Sequence, residues 1–235
     1  MNDLYTMIWK EWKDFLLSGG RSDFLRPLLI LFIMGIFLPL SFKTRWLNLE
    51  PAPVLIILYT PFMFVTSFIG DAIAGERERH TLETLLASRI SDRAILLGKV
   101  LVVVGFTWGM NLFCLLFGAI VVDWSQGQWR FYAPLNLLMI VLVISFLVIL
   151  LAASGGVLIS LKSATVRQAA QNMLLGEMLL GFFVYLVVRF LPPSLIASLT
   201  TSQVVSITLL TLAALDAILL AAALVSFQRS RLILG

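Results

Sequence analysis

The residues of this sequence that could do chemistry are concentrated in one charged segment, residues 75–93, which lies between two long apolar runs. Within it, Leu82, Leu85 and Leu86 have the i, i+3, i+4 spacing that places side chains on one edge of a helix. The other positions carry charges of both signs. Such a helix could press its apolar edge into a partner's groove and be guided there by charge. A solvated loop is the alternative, and the chemistry of the segment leaves both open.

Polar side chains inside the apolar runs form the second group of candidates: Asp71, Asn111, Glu177 and Asp216. Each costs roughly 3 kcal/mol in hydrocarbon unless it is sheltered. They could line a translocation path, or they could join helices through hydrogen bonds. For Asp71 we favour the joining role, because Arg77 or Lys99 could pair with it. For Asp216, which lies deep in its run, both interpretations stay open.

Catalysis has little support in the residue types present. His80 is the only histidine and Cys114 the only cysteine, so a histidine-rich zinc site, a Ser/His pair within the membrane and an intrachain disulfide are not expected. The phosphate-binding pattern Gly-x-x-x-x-Gly-Lys-Ser/Thr is missing, since Gly98-Lys99 has Arg93 in place of the first Gly and is followed by Val100. We therefore expect no catalytic residue, no metal and no cofactor on this chain, and no nucleic-acid partner.

The elements that must position these residues are membrane-spanning helices. The 235 residues are 60% hydrophobic and 13% charged, with a mean hydropathy of +1.00, whereas roughly a quarter of a soluble domain is charged. The apolar runs reach the roughly 20 residues that cross a bilayer as a helix. The sequence predicts an all-α integral membrane fold that forms a single domain over residues 1–235. The six expected spans are residues 26–42, 54–74, 94–122, 135–161, 172–191 and 204–227.

An amphipathic helix is predicted before the first span, over residues 3–17. At about 100° per residue, its apolar side chains fall on one arc of roughly 140°. That arc contains Leu4, Tyr5, Ile8, Trp9, Trp12, Phe15 and Leu16, and it leaves out Met7 and Leu17. A tryptophan-rich face opposite lysines is typical of a helix that lies in the membrane interface.

The distribution of Lys and Arg predicts the orientation of the chain. Thirteen of them lie on one side of the expected spans, and only Lys43, Arg45, Arg130 and Arg189 lie on the other. Because cytoplasmic loops are enriched in these residues, both termini and the charged segment are expected in the cytoplasm. The chain is accordingly expected to be a multi-pass protein of the cell (cytoplasmic, or inner) membrane.

Two sets of small residues could allow close helix approach: Gly105 with Gly109, and Ala213 with Ala217 and Ala221. Either set could pack within the chain or against another subunit, and we expect packing within the chain.

Several short motifs together resemble the signature of type-2 ABC transporter permeases. They are Glu76-Arg77-Glu78, Thr81-Leu82-Glu83, Leu85-Leu86, Ile90-Ser91 and Gly98-Lys99. The interfacial helix, the six spans and the position of the charged segment fit the same family. Two residues depart from its pattern: His80 stands where the family has Gly, and Arg89 stands where it has Pro.

The resemblance implies that the charged segment is a coupling helix, which docks on a separate cytoplasmic ATPase. The residues implied in coupling are Glu76, Arg77, Glu78, Thr81, Leu82, Glu83, Leu85 and Leu86. It also implies ATP and Mg on the partner ATPase, a second copy of this chain or a related permease, and a short external helix over residues 192–203.

The function expected from these features is that of the permease subunit of an ATP-driven exporter. An ion-coupled secondary transporter using Glu177 and Asp216 is one alternative, although such proteins commonly show repeated halves and none stands out here. A membrane scaffold that transports nothing is the other alternative.

Overall fold

In the computed structural model, the described part of the chain is helical and contains no strand. It comprises residues 2–17, 28–81, 85, 87–127, 129–132, 135–190, 192 and 200–227.

Three short helices come first. Helix α1 is Asn2–Leu17, α2 is Leu28–Phe42 with a π-helical turn at Ile33–Phe37, and α3 is Thr44–Leu47. The expected start of the first span, at Arg26 and Pro27, lies outside the described residues.

Five longer helices follow, each long and apolar enough to cross a membrane. They are α4 (Pro51–Glu78), α5 (Asp92–Gln126), α6 (Leu135–Lys162), α7 (Val166–Phe190) and α8 (Thr201–Ser226). Helix α2 is shorter than these five, so a sixth crossing does not follow from helix length alone.

Two helices extend beyond the spans expected for them. Helix α4 does not end at Ala74: it passes through a π-helical turn, Asp71–Gly75, and continues to Glu78. Helix α7 begins at Val166 instead of Asn172. Its first turns are polar, and hydropathy therefore does not mark where the helix starts.

The start of α7 is fixed by side-chain hydrogen bonds to the backbone. The Gln168 N–H donates to Thr165 Oγ1 at 3.2 Å, and the Ala164 N–H donates to Gln168 Oε1 at 3.0 Å. These bonds satisfy amide groups that the first turn of a helix would leave unpaired.

Close contacts place α1 and the end of α2 at opposite ends of α5. A Cβ on Gly98 would lie 2.6 Å from Met7 Cγ, and a Cβ on Gly118 would lie 2.8 Å from Pro39 Cγ. The rise of 1.5 Å per residue places the two glycines roughly 30 Å apart along α5. The chain therefore traverses the length of the bundle between Met7 and Pro39.

Helix α1 presents much of its predicted apolar arc to the surroundings. Tyr5 and Trp9 are mostly exposed, whereas Met7, which the arc leaves out, is completely buried against α5. Trp12 makes an edge-to-face contact with Phe106 of α5. The aromatic residues Tyr5 and Trp9 are thus left free to meet lipid.

An apolar cluster that includes Trp46, Leu115 and Tyr132 lies at the end of the bundle opposite α1. Trp46 Nε1 donates to the Tyr132 hydroxyl at 3.1 Å, and that hydroxyl donates to the Leu115 carbonyl at 2.8 Å. Burial raises the pKa of the Tyr132 phenol, so the donating form is retained. The aromatic rings of Trp124, Trp129 and Phe131 are exposed around this end.

The expected packing of Gly105 and Gly109 within the chain was wrong for the described residues. A Cβ on either glycine would meet none of their atoms within 4 Å. Ala213, Ala217 and Ala221 are also exposed. Both sets face away from the rest of the bundle, because neighbouring helices pack on other faces of α5 and α8.

Candidate functional site

The Glu76-Arg77-Glu78 motif forms the last turn of α4, directly after the π-helical turn. In this position the three side chains reach three different sets of neighbours. We call the resulting group of contacts the junction; it comprises Glu76, Arg77, Glu78 and the groups that they bind.

Glu76 binds a buried lysine of α5. Lys99 Nζ lies 2.9 Å from Glu76 Oε1 and 2.9 Å from Glu11 Oε1, and the Lys99 side chain is 2% exposed. An ammonium group this deeply buried requires opposite charges to offset its lost hydration. Lys10 also approaches Glu76, at 3.5 Å. The four charges balance, and they join α1, α4 and α5.

Arg77 binds the end of α6. Its Nη1 donates to the Ser163 carbonyl at 2.8 Å and its Nη2 donates to the Leu161 carbonyl at 3.0 Å. The last carbonyls of a helix lack partners within the helix and carry partial negative charge. A planar guanidinium satisfies two of them at once.

Glu78 binds the start of α7. Its Oε2 accepts a hydrogen bond from the Val166 N–H at 3.1 Å. Val166 is the first residue of α7, where free amide groups favour an acceptor of negative charge. Arg77 and Glu78 therefore hold the two ends of the short connection between α6 and α7.

A tight turn ends α4 after the motif. The Thr81 N–H donates to the Glu76 carbonyl at 2.9 Å and the His80 N–H donates to the Arg77 carbonyl at 3.1 Å. This pair of bonds is the Schellman motif, which requires a left-handed residue just beyond the helix. His80 fills that position with φ of 57°. The turn that suits glycine is therefore retained, although histidine stands in its place.

The rest of the predicted coupling residues divide into two groups. Leu82, Glu83 and Leu86 lie outside the described residues. Leu85 is helical and only 8% exposed, and it packs into the core of the chain with Ile95 and Leu96. The Leu85 side chain is therefore packed within the chain and is not offered to a partner.

A serine of α6 satisfies the backbone where the π-helical turn disrupts α4. The Ala74 N–H donates to Ser160 Oγ at 3.1 Å, and Ser160 Oγ donates to the Gly70 carbonyl at 3.3 Å. Sequence reasoning missed Ser160 and Ser163, because a serine in an apolar run has no distinctive spacing. It also missed Lys10 and Glu11 as partners, although the polar face of α1 contained both.

Asn111, Glu177 and Asp216, the polar residues considered for a translocation path, make no hydrogen bond with one another among the described residues. Glu177 accepts a hydrogen bond from the Thr66 hydroxyl of α4. Asn111 lines a small cavity with Met34, Thr60 and Cys114. The Glu177 contact joins α7 to α4, which fits the structural interpretation of that residue, whereas Asn111 Nδ2 has no hydrogen-bond partner among the described residues.

Asp216 is 4% exposed on α8, a helix that packs mainly on α6. Neither of its carboxylate oxygens has a hydrogen-bond partner among the described residues.

Asp71 lies in the π-helical turn, and its side chain is outside the described set. The two cations that were considered as its partners are engaged elsewhere: Arg77 binds carbonyls, and Lys99 binds Glu11 and Glu76.

The family model described as ABC-2 family transporter protein matches residues 49–230, which is well over half of the chain. No curated protein matches the sequence. The matched range begins before α4 and extends beyond α8, so it includes Glu76, Arg77 and Glu78 with their partners on α5, α6 and α7, whereas α1 lies outside it.

Proposed function

The chain belongs to the ABC-2 family of transporter proteins and is a membrane permease of ABC transporters, and we propose that it exports its substrate with energy from a separate cytoplasmic ATPase. The partner would bind ATP and Mg, since the chain has no phosphate-binding loop of its own. The proposal is supported most directly by the junction, where one charged motif is joined to α1, α5, α6 and α7.

The position of the motif explains how force on a small surface could reach the spans. A partner that displaced the charged segment would pull on a buried ion pair and on two helix ends. Packed helices pass such displacements on as rigid bodies, because protein interiors have little free volume. We therefore assign energy coupling to the segment around Glu76, Arg77 and Glu78.

We also propose six crossings with both termini in the cytoplasm. Met7 and Pro39 contact α5 at points roughly 30 Å apart, and that distance matches the hydrocarbon thickness of a bilayer. The chain leading through α2 would then cross once before α4. This topology places the junction on the side that is rich in Lys and Arg, with the aromatic face of α1 in the membrane interface.

A second permease copy, or a related permease, would complete the translocation path. This is supported by the large apolar surface that α7 leaves uncovered within one chain. Membrane lipid and the second subunit would share that surface.

Co-purification tests the ATPase partnership. The full-length chain, tagged and solubilised from its native host, is expected to bring down an ABC ATPase, and ATP hydrolysis should accompany the complex. A Lys162→Gln variant, altered at an exposed side chain outside the junction, serves as the matched control. It should recover the same amount of ATPase.

Failure to recover an ATPase, together with uptake driven by an ion gradient in vesicles, would instead favour the secondary transporter. Recovery of no ATPase and no transport of any kind would favour the scaffold.

A further inference from the structure

Arg77 and Glu78 hold both ends of the connection between α6 and α7, which consists of only residues 163–165. We propose that these two residues are positioning residues, which carry movement of the charged segment to α6 and α7 without contacting the ATPase themselves. The inference rests on the proposed function and deepens it, because it names a route to spans that do not adjoin the segment in sequence.

The Arg77 contact is suited to transmitting force. Its guanidinium binds two carbonyls, those of Leu161 and Ser163, that lie on either side of the end of α6. Two parallel hydrogen bonds from a planar group fix orientation as well as distance. A lysine at this position would keep the charge but would lose the fixed pair of donors.

Residues 163–165, the connection between α6 and α7, are held by hydrogen bonds at both ends, so a displacement of one end would also displace the other. The Ser163 N–H donates to the Ser160 carbonyl at 3.3 Å, and the Ser163 hydroxyl donates to the Ile159 carbonyl at 2.9 Å. At the far end Thr165 and Gln168 cap α7. The end of α4, the end of α6 and the start of α7 therefore form one unit.

Helix α7 also contacts α4 deeper in the bundle. Gly70 lies beside α7, where an added Cβ would be 3.8 Å from Ala169 Cβ. Further along, the Thr66 hydroxyl donates to Glu177. A displacement of Glu78 would therefore shift α7 relative to α4. Among the described residues most of the length of α7 is exposed, so few of their contacts would resist this motion.

Distance measurements between spin labels test the proposed route. Cys114 is the only cysteine, so Cys114→Ala provides a background for two labels, at Ala87→Cys in the charged segment and at Ala164→Cys in the connection. Both positions are exposed. Labelled chains are diluted with unlabelled Cys114→Ala chains, so that only the two labels within one chain are measured. In liposomes the full-length permease should then give one narrow distance, and the co-purified complex should keep it on addition of ATP and orthovanadate. Arg77→Lys should broaden the distribution, and Glu78→Gln should do so to a smaller extent.

The same variants separate transmission from docking. Arg77→Lys should recover as much ATPase as the unaltered chain, while the stimulation of ATP hydrolysis by the permease should fall about tenfold, the effect of losing one charge-assisted hydrogen bond. Arg167→Lys, an exposed change at the start of α7, is the control and should alter neither quantity.

An unchanged label distance in both variants would overturn the inference, as would loss of ATPase recovery in Arg77→Lys, because that loss would place Arg77 at the partner surface. If the unaltered chain recovers no ATPase, the proposed function fails, and the label distances in the permease alone still decide whether the two residues hold the connection.

Discussion

Charged side chains at the junction bind other charges and the backbone groups at helix ends, and these bonds hold the helix ends in place. Lys99 is a buried cation between two carboxylates, and Arg77 and Glu78 use backbone carbonyl and amide groups as partners. His80 is the residue at which local strain concentrates, because left-handed backbone is unfavourable for a residue with a Cβ. Histidine is among the side chains that tolerate this conformation best.

His80→Gly is expected to stabilise the chain. Glycine removes the cost of the left-handed conformation, about 1 kcal/mol, and part of that gain is offset because glycine loses more freedom on folding. The thermal unfolding midpoint of the detergent-solubilised protein measures the effect. Arg79→Gly is the control: Arg79 has φ of −85° and its Nε donates to the Gly75 carbonyl at 3.2 Å, so glycine there should lower the midpoint. A lower midpoint for His80→Gly would show that the imidazole itself makes a needed contact.

At the scale of helices, the glycines of α5 have opposite roles according to the face on which they lie. Gly98 allows Met7 of α1 to approach, whereas Gly105 faces away from the described neighbours. The same helix thus binds α1 on one face and leaves another for lipid or a second chain. Close approach at Gly98 also brings Glu11 within reach of Lys99.

Gly98→Ala and Gly105→Ala are expected to change stability in opposite directions. Alanine improves helix propensity by about 1 kcal/mol at either site. At Gly98 the new Cβ would lie 2.6 Å from Met7 Cγ and 3.0 Å from Met7 Cβ, and overpacking of this kind costs about 1–3 kcal/mol. Gly98→Ala should therefore lower the unfolding midpoint and Gly105→Ala should raise it. A lower midpoint for Gly105→Ala would reveal that another helix packs there.

At the scale of the whole molecule, the bundle has two unlike ends. One end contains the ion pairs of Lys99 and the helix-end contacts of Arg77 and Glu78. The other is closed by the buried Trp46–Tyr132 pair and surrounded by exposed aromatic rings. The charged end suits contact with a cytoplasmic partner, and the aromatic end suits the opposite membrane surface.

Cysteine labelling is expected to confirm this orientation. In the Cys114→Ala background, Asp3→Cys and Ala164→Cys should react with a membrane-impermeant maleimide only in inside-out vesicles. Arg45→Cys should react only from the outside of intact cells, because the topology that we propose has a crossing between α1 and α3. All three positions are exposed in the structure. Labelling of Asp3→Cys and Arg45→Cys from the same side would rule out a crossing by the chain that contains α2.

The sequence by itself determined the class of protein, the approximate positions of the long helices and the segment that carries charge. Long, continuous apolar runs are expected to cross a membrane as helices, because a helix satisfies its own backbone hydrogen bonds. The motifs between Glu76 and Lys99 were sufficient to indicate the family. Helix ends were less predictable, as α4 and α7 show, because polar first and last turns leave no hydropathy signal.

Only the tertiary structure decided which groups those residues bind. Arg77 or Lys99 was considered as a partner of Asp71, and Lys99 binds Glu11, 88 positions away on α1. Arg77 binds backbone carbonyls, which every residue possesses and which no side-chain pattern can distinguish. The face of α5 that receives α1 was likewise undecided, because Gly98 and Gly105 are identical in chemistry and differ only in what packs against them.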